Sequence, residues 1–415
     1  MNSYVESVDF FKGLNPEDIA KEYGTPVYVY NEDIIRKCMS TVDKIVTKYP
    51  YKANYSMKAN SNRSILQLAL SEGLNADAMS EGEIRMLLDA GFPTDRIFFV
   101  PNNVSDDELK FAIDKNILTS LDSLSQLERY GKLNRGGKCA VRINPGVGAG
   151  HHEKVVTAGK KTKFAIQEED VDKIFEIAKK YDLTICGINQ HVGSLFMTPE
   201  PFLQAVDNIL RMAMKFDNLE FIDFGGGYGM PYHKLDDEKP FDFDNLSREM
   251  EKRLDAFVEA YGKAPLFKSE PGRFCVAEGG VILGRVNAIK FNSEKKFVGT
   301  DVGMNVLVRP SMYDSWHDIE IISDGKVVSR EKTDNVVSIA GNICESGDLL
   351  CKDRPMPEIK EEDLICVLDA GAYGYSMCYP YNSRLRPAEV MITSDGQTKL
   401  IRRRETFEDL LNYYV

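Results

Sequence analysis

Histidine is scarce in this chain, with five in 415 residues, and the eight cysteines (38, 139, 186, 275, 344, 351, 366 and 378) are scattered. They form no C-x-x-C pair and no zinc-ligand spacing, so the thiols read as reduced core residues. His151 and His152 are adjacent, and on a strand their rings would point to opposite faces. No metal site is expected. Positive charge is outnumbered: 52 Lys and Arg against 64 Asp and Glu leave a net charge of −12. That balance argues against a protein whose main work is gripping nucleic acid or an anionic membrane, because both need a cationic face. No apolar run approaches the roughly 18–20 residues of a membrane span. The opening Met1-Asn2-Ser3-Tyr4-Val5-Glu6 carries neither a basic nor an apolar segment. No signal peptide is therefore expected, and the cytoplasm is the expected compartment.

What is present is enough apolar material for large cores. Hydrophobic residues make up 43% and charged residues 28% of the chain, which disfavours disorder. The length exceeds the ~100–200 residues of a single domain, so two domains, or a barrel with an appendage, are expected. Short apolar runs alternate with helical patterns through the middle of the chain. The candidate strands are 51–60, 74–80, 96–102, 118–123, 138–145, 184–193, 219–227 and 265–272. Amphipathic stretches at 81–90, 105–115, 168–180, 199–215 and 243–261 lie between them. Strand–helix alternation implies a parallel sheet, and eight such units fit a closed (β/α)₈ barrel of the TIM type better than an open sheet. Beyond about residue 275 the texture becomes β-branched runs punctuated by Gly, Asn and Asp, at 281–289, 296–303, 319–323, 335–339, 364–370 and 388–392. These predict a second, mostly antiparallel β domain. The strand-like segment Thr25–Tyr30 precedes the barrel and is expected to join that C-terminal sheet. The domains are accordingly placed at 32–274 for the barrel, with 1–31 and 275–415 forming the β domain.

Polar and glycine-rich elements fall at the carboxyl ends of the expected barrel strands, where barrel enzymes keep their active sites. Lys58, in Tyr55-Ser56-Met57-Lys58-Ala59-Asn60, is either a rim lysine or a desolvated amine suited to Schiff-base chemistry. Asp223-Phe224-Gly225-Gly226-Gly227-Tyr228-Gly229 is either a plain glycine-rich turn or a backbone cradle for an anion. A dinucleotide fingerprint fits poorly, because it belongs at the start of a βαβ unit. Glu270, in Ser269-Glu270-Pro271-Gly272-Arg273, costs several kcal/mol at this depth unless a cation pairs with it. Arg273 could be that cation, and so could a protonated heterocycle nitrogen. His191, in Gln190-His191-Val192-Gly193-Ser194, is either a satisfied core histidine or a ring at the barrel mouth.

A lysine amine, a phosphate cradle, a carboxylate for a ring nitrogen and a ring to stack are the equipment for pyridoxal phosphate. In these motifs the sequence resembles the barrel-type (fold type III) pyridoxal-phosphate decarboxylases, and within them the diaminopimelate decarboxylases, from about Leu14 to the C-terminus. The resemblance implies that Lys58 holds the cofactor through its amine. It implies that His191 stacks on the pyridine ring and that Ser194 reaches the phosphate. Gly225, Gly226 and Gly227 would bind the phosphate through backbone amides, and Glu270 would pair with the ring nitrogen. Gly272 and Arg273 belong to the same cofactor-binding segment, and Asp77 matches a family position near the cofactor. Arg309-Pro310-Ser311-Met312-Tyr313 is similar to a segment whose arginine and tyrosine grip substrate carboxylate. Cys344-Glu345-Ser346-Gly347-Asp348 is similar to a loop that a partner subunit inserts into the active site. Tyr373, in Ala370-Gly371-Ala372-Tyr373-Gly374, would reach phosphate or substrate. Tyr381-Asn382-Ser383-Arg384 and Arg402-Arg403-Arg404-Glu405-Thr406 continue the match.

The implied activity is decarboxylation of meso-diaminopimelate to lysine and CO₂, the last step of lysine biosynthesis, by a homodimer with shared active sites. Lys58 and Cys344 would be catalytic, and either is a candidate for the acid that protonates the product carbon. Diaminopimelate carries an amino-carboxylate at both ends. Arg273 and Arg309 can grip the distal carboxylate, and Glu345 can take the distal ammonium. An arginine at 309 would face a cation if the substrate were ornithine or lysine. Two positions depart from the family pattern: Asn189 stands where many members have a first histidine in H-x-H-I-G-S-Q, and Leu195 replaces the glutamine. Rival readings are a related decarboxylase for ornithine, arginine, a D-amino acid or carboxynorspermidine, and a cofactor-binding regulator that has lost catalysis.

Overall fold

The computed structural model describes residues 3–144, 163–328 and 334–415. His151, His152 and Pro145 lie outside the described residues. The chain divides into two compact units. The barrel unit comprises Cys38–Met230 and Pro240–Cys275, and the sheet unit comprises Met1–Lys37, Pro231–Lys239 and Val276–Val415. Among the described residues no helix is long and apolar enough to cross a membrane.

One strand, β1 (Val27–Asn31), precedes the barrel. The barrel strands are β2 (Tyr51–Ser56), β3 (Asn75–Ala78), β4 (Ile97–Phe99), β5 (Leu118–Leu121), β6 (Lys138–Arg142), β7 (Thr184–Asn189), β8 (Phe221–Asp223) and β9 (Leu266–Ser269). All neighbours run parallel, and β2 closes on β9 with Tyr51 opposite Phe267. Strand ends run directly into helix starts because polar residues cap the next turn. Ser80, just beyond β3, accepts from the Glu83 N–H and opens the helix Glu81–Ala90. Ser105 and Glu108 form a reciprocal capping box for Asp106–Asp114, and Ser123 caps Leu124–Leu133. Each cap satisfies an amide that would otherwise be orphaned. Inside the barrel Phe98, Val100, Ala140, Cys186 and Phe221 pack as one apolar cluster. Gly187 makes that packing possible: a Cβ there would stand 2.2 Å from the Phe221 ring.

The sheet unit continues with β10 (Gly280–Asn292), β11 (Lys295–Thr300), β12 (Ile319–Ser323), β13 (Lys326–Val327), β14 (Val336–Ala340), β15 (Leu349–Pro355), β16 (Leu364–Val367), β17 (Ala388–Ile392) and β18 (Thr398–Arg402). Their order is β13-β12-β16-β10-β1-β17-β18, and β11, β14 and β15 extend from the far half of β10. The pairings are antiparallel apart from β1 with β17 and β11 with β14. The N-terminal segment does join this sheet, with Val27 opposite Leu283 on one side and Ala388 on the other. All five residues of β1 are buried, as a central strand requires. Pro231–Lys239 belongs to the sheet unit although it lies inside the 32–274 span. Lys234 is the reason: its buried amine pairs with buried Asp369 (2.8 Å) and with partly exposed Glu278 (3.0 Å), while the Leu235 N–H donates to Asp318.

Candidate active site

Lys58, Met79, Val100, Asn102, Arg142, Lys163, Phe164, His191 and Glu270 line one cavity of about 360 Å³ in the barrel unit. Lys58 sits in the 3-10 turn Met57–Ala59, immediately after β2, so its amine is delivered by the carboxyl end of a strand. His191 and Glu270 follow β7 and β9 in the same way.

Glu270 is buried, and its Oε1 has no hydrogen-bond partner. Burial, reinforced by Asp223 and Asp77, holds its carboxyl well above the ordinary range, against the pull of Lys58 and Arg142. Such a carboxyl needs a cation and is placed to receive one from a ligand. Burial likewise raises Asp77 to about 7, against Lys58 and the Ser56 hydroxyl. Asp223 rises to about 6, restrained by the Gly225 N–H, Lys268 and Asn54. For His191 burial, Lys58 and Arg142 all act to keep the imidazole neutral. Its Nδ1 accepts from the Gly226 N–H at 3.4 Å.

The three glycines after β8 are required by close packing. A Cβ at Gly225 would stand 2.3 Å from the Gln190 carbonyl oxygen, and one at Gly227 would stand 2.6 Å from that of Gly193. Gly225 and Gly227 also adopt φ of 73° and 117°, where a side chain is strained. Asp223 Oδ1 accepts from the Gly225 N–H at 2.9 Å and so sets the direction of the loop. Arg273 donates from Nε (3.3 Å) and a terminal nitrogen (3.1 Å) to Ser194 Oγ. Gly272 packs beneath the end of β2, where a Cβ would meet that of Ser56 at 2.9 Å.

These features fit pyridoxal phosphate on structural grounds. An amine, a neutral imidazole and a carboxyl with one unpartnered oxygen share one cavity, and the glycine loop packs against both the His191 and the Glu270 segments.

The other expected residues all belong to the sheet unit. Arg309 is buried at the start of the short helix Arg309–Tyr313. Cys344 and Glu345 are exposed, and Glu345 accepts from the Tyr381 hydroxyl. Asp348 fastens their loop, with Oδ2 accepting from Ile343 N–H at 2.7 Å and Oδ1 from Met304 N–H. The Ser311 hydroxyl donates to the Gly347 carbonyl at 2.7 Å, which joins the Arg309–Tyr313 helix to this loop. Tyr373 is half-buried at φ 57°. The structure also places the two positions that depart from the family pattern. Asn189 Oδ1 accepts from the Ser120 hydroxyl at 2.6 Å inside the barrel, and Leu195 adopts φ 66°.

Sequence reasoning gave no role to Arg142. It ends β6, is 5% exposed and sits over the Phe164 ring at 4.9 Å. Burial lowers its pKa from the ordinary arginine value, while Glu270, Asp122 and Asp77 act in the opposite direction to hold the charge. A cation closing an apolar strand was the available signal, the same one that singled out Lys58.

Comparisons with known proteins give the family of the chain. Residues 31–277 match the family described as "Pyridoxal-dependent decarboxylase, pyridoxal binding domain". Diaminopimelate decarboxylase of Methanothermobacter thermautotrophicus is 40% identical over 408 residues, covering 96% of this chain and 94% of the relative. That of Archaeoglobus fulgidus is 34% identical, with coverage of 96% and 95%. The crystal structure of diaminopimelate decarboxylase from Helicobacter pylori complexed with L-lysine superposes with a TM-score of 0.86 at 31% identity, covering 96% of this chain and 98% of that one. The chain belongs to the diaminopimelate decarboxylase family of pyridoxal-dependent decarboxylases.

Proposed function

We propose that this protein removes CO₂ from meso-diaminopimelate to give lysine, with pyridoxal phosphate held in the barrel cavity. The observation that carries the proposal is the unpartnered buried oxygen of Glu270 in a cavity shared with Lys58 and His191. Bound there, pyridoxal phosphate supplies a protonated ring that accepts the electron pair left when CO₂ departs.

The chain's own residues prepare for this. Lys58 anchors the cofactor through its amine. Glu270 keeps the proton on the ring nitrogen, because two nearby acids and burial make an uncompensated carboxylate there costly. Neutral His191 offers a flat face for stacking without adding charge. The Gly225–Gly227 loop would hold the phosphate through its backbone; Gly225 donates its own N–H to Asp223 and so orients the loop, while the amides of Gly226 and Gly227, with Ser194 and Arg273, would meet the phosphate.

For the substrate, Arg309, Tyr313, Arg273 and Tyr373 would grip the carboxylate that is not lost, and Glu345 its neighbouring ammonium. Exposure of Cys344–Gly347 in the loop supports a homodimer in which a second copy receives it, with Cys344 or Lys58 returning a proton to the product carbon. The cytoplasm suits such an enzyme, since none of the eight cysteines is paired. The test is CO₂ release by the loaded protein from meso-diaminopimelate, with ornithine, lysine and arginine run beside it. Preferred turnover of diaminopimelate is expected. Preference for ornithine or arginine would overturn the substrate while leaving the cofactor site intact.

A further inference from the structure

Arg309 is among the largest fully buried side chains of the protein, and its guanidinium is held from three directions. One terminal nitrogen lies 2.7 Å from His317 Nε2. The other donates to Ser315 Oγ at 3.4 Å. Its plane lies over the Tyr232 ring at 4.7 Å. The second imidazole nitrogen, Nδ1 of His317, lies 2.7 Å from the Leu368 carbonyl oxygen.

Guanidinium has donors only, and a carbonyl oxygen accepts only. His317 Nε2 must therefore present its lone pair to Arg309, and Nδ1–H must donate to Leu368. Both hydrogen bonds select the same neutral tautomer. A proton on Nε2 would set one N–H against another and one cation against another. His317 is further fixed by Tyr232, whose ring meets it edge-on at 5.2 Å, and by Arg354, which donates to its backbone carbonyl at 2.6 Å. Leu368 directly follows β16 and begins the run that leads to Tyr373, so one imidazole ties together two segments expected to meet substrate.

We propose that His317 is a positioning residue for specificity: it aims the Arg309 guanidinium so that the site favours a substrate with a second carboxylate. This rests on the reading that Arg309 takes that carboxylate. A fork that must meet a carboxylate with two parallel bonds is sensitive to its angle, and the short hydrogen bond between one terminal nitrogen and His317 Nε2 turns the guanidinium plane and so tunes that angle.

The test compares two inhibitors on the pyridoxal-phosphate-loaded enzyme. L-lysine keeps the carboxylate in question and cadaverine lacks it. His317→Leu is expected to weaken inhibition by L-lysine about tenfold, the scale of one charge-assisted hydrogen bond, and to leave cadaverine within about twofold. His317→Asn, which is polar but too short to span from Arg309 to the Leu368 carbonyl, should show the same selective loss if the leucine variant fails to fold. His317→Gln can accept from Arg309 and donate to Leu368, and should recover all but about threefold. Equal shifts for the two inhibitors, or no shift for either, would overturn the proposal. Arg309→Gln separates the two layers. If it leaves the ratio of the two inhibitors unchanged, the carboxylate reading falls and His317's role with it. If it changes the ratio while the His317 variants do not, only the positioning role falls.

Discussion

Gly226 lies so close beneath Glu270 that a Cβ at residue 226 would stand 1.9 Å from the Glu270 carbonyl oxygen. The neighbouring backbones are also tied, since the Glu270 N–H donates to the Gly225 carbonyl at 3.0 Å. The loop expected to cradle phosphate and the carboxylate expected to face the ring nitrogen are thus one packed unit. Distance between the two ends of the cofactor is set by backbone, which side-chain motion cannot relax.

Gly226→Ala should therefore damage both ends at once. Because the clash is with backbone, a stability loss of about 2–3 kcal/mol is expected, with cofactor affinity falling in parallel. Denaturant unfolding and a fluorescence titration with pyridoxal phosphate would measure the two. Tight cofactor binding by this variant would show that the loop has room the structure denies.

The raised carboxyls give the cofactor-free protein a specific pH response. Asp77 moves from 3.8 to about 7 and Asp223 from 3.8 to about 6, chiefly through burial. A group with a folded value above its unfolded one binds more protons when folded. Its contribution is complete below about pH 4 and is lost as pH rises through the folded values. Asp77→Asn should flatten the fall in unfolding free energy between about pH 4 and pH 7. An unchanged slope in the variant would contradict the assignment.

His191 is expected to act as a neutral stacking surface. His191→Ala should weaken pyridoxal phosphate binding about tenfold, while His191→Phe, which keeps a flat ring, should lose much less. Absorbance titration decides this, and equal losses in the two variants would mean that the imidazole works through a hydrogen bond such as that from Gly226.

If a second copy supplies the Cys344–Asp348 loop, activity should fall on dilution at the concentration where the dimer separates. Sedimentation and activity measured over the same dilution series test this. A fully active monomer would contradict the shared site.

Much of the barrel is readable in the sequence, because most of its strands are short apolar runs closed by a polar or charged residue, as at Ser56, Asp122, Arg142, Asn189, Asp223 and Ser269. The ends are less readable. The run 219–227 looks continuous, yet only Phe221–Asp223 is strand. The glycines leave the ladder to pack against the His191 and Glu270 segments, a tertiary effect that no local pattern reports. In the sheet unit β13, β15 and β18 lie outside every run that the sequence marks as a strand. They carry exposed Lys326, Lys352, Asp353 and Lys399, and β13 and β18 are edge strands, where charge is expected and mimics a loop.

The site shows the same division. Lys58, His191 and Glu270 stand out because each closes or follows an apolar strand, and the last two do so near glycine. Arg142 passed unnoticed although it closes β6, since its meaning lies in three carboxyls brought in from β3, from the turn after β5 and from beyond β9. Arg309 was legible only through family resemblance, and His317, which orients it, carries no local signal.

The central claim is that the barrel cavity holds pyridoxal phosphate on Lys58. Lys163 lines the same cavity, and Lys268 is buried in the same unit over the Phe221 ring, so three amines compete for the assignment. Borohydride reduction of the loaded protein, followed by peptide mass spectrometry, identifies the attached residue directly. The expected result is a single pyridoxyl adduct on the peptide containing Lys58. An adduct on Lys163 or Lys268, with Lys58 unmodified, would contradict the claim.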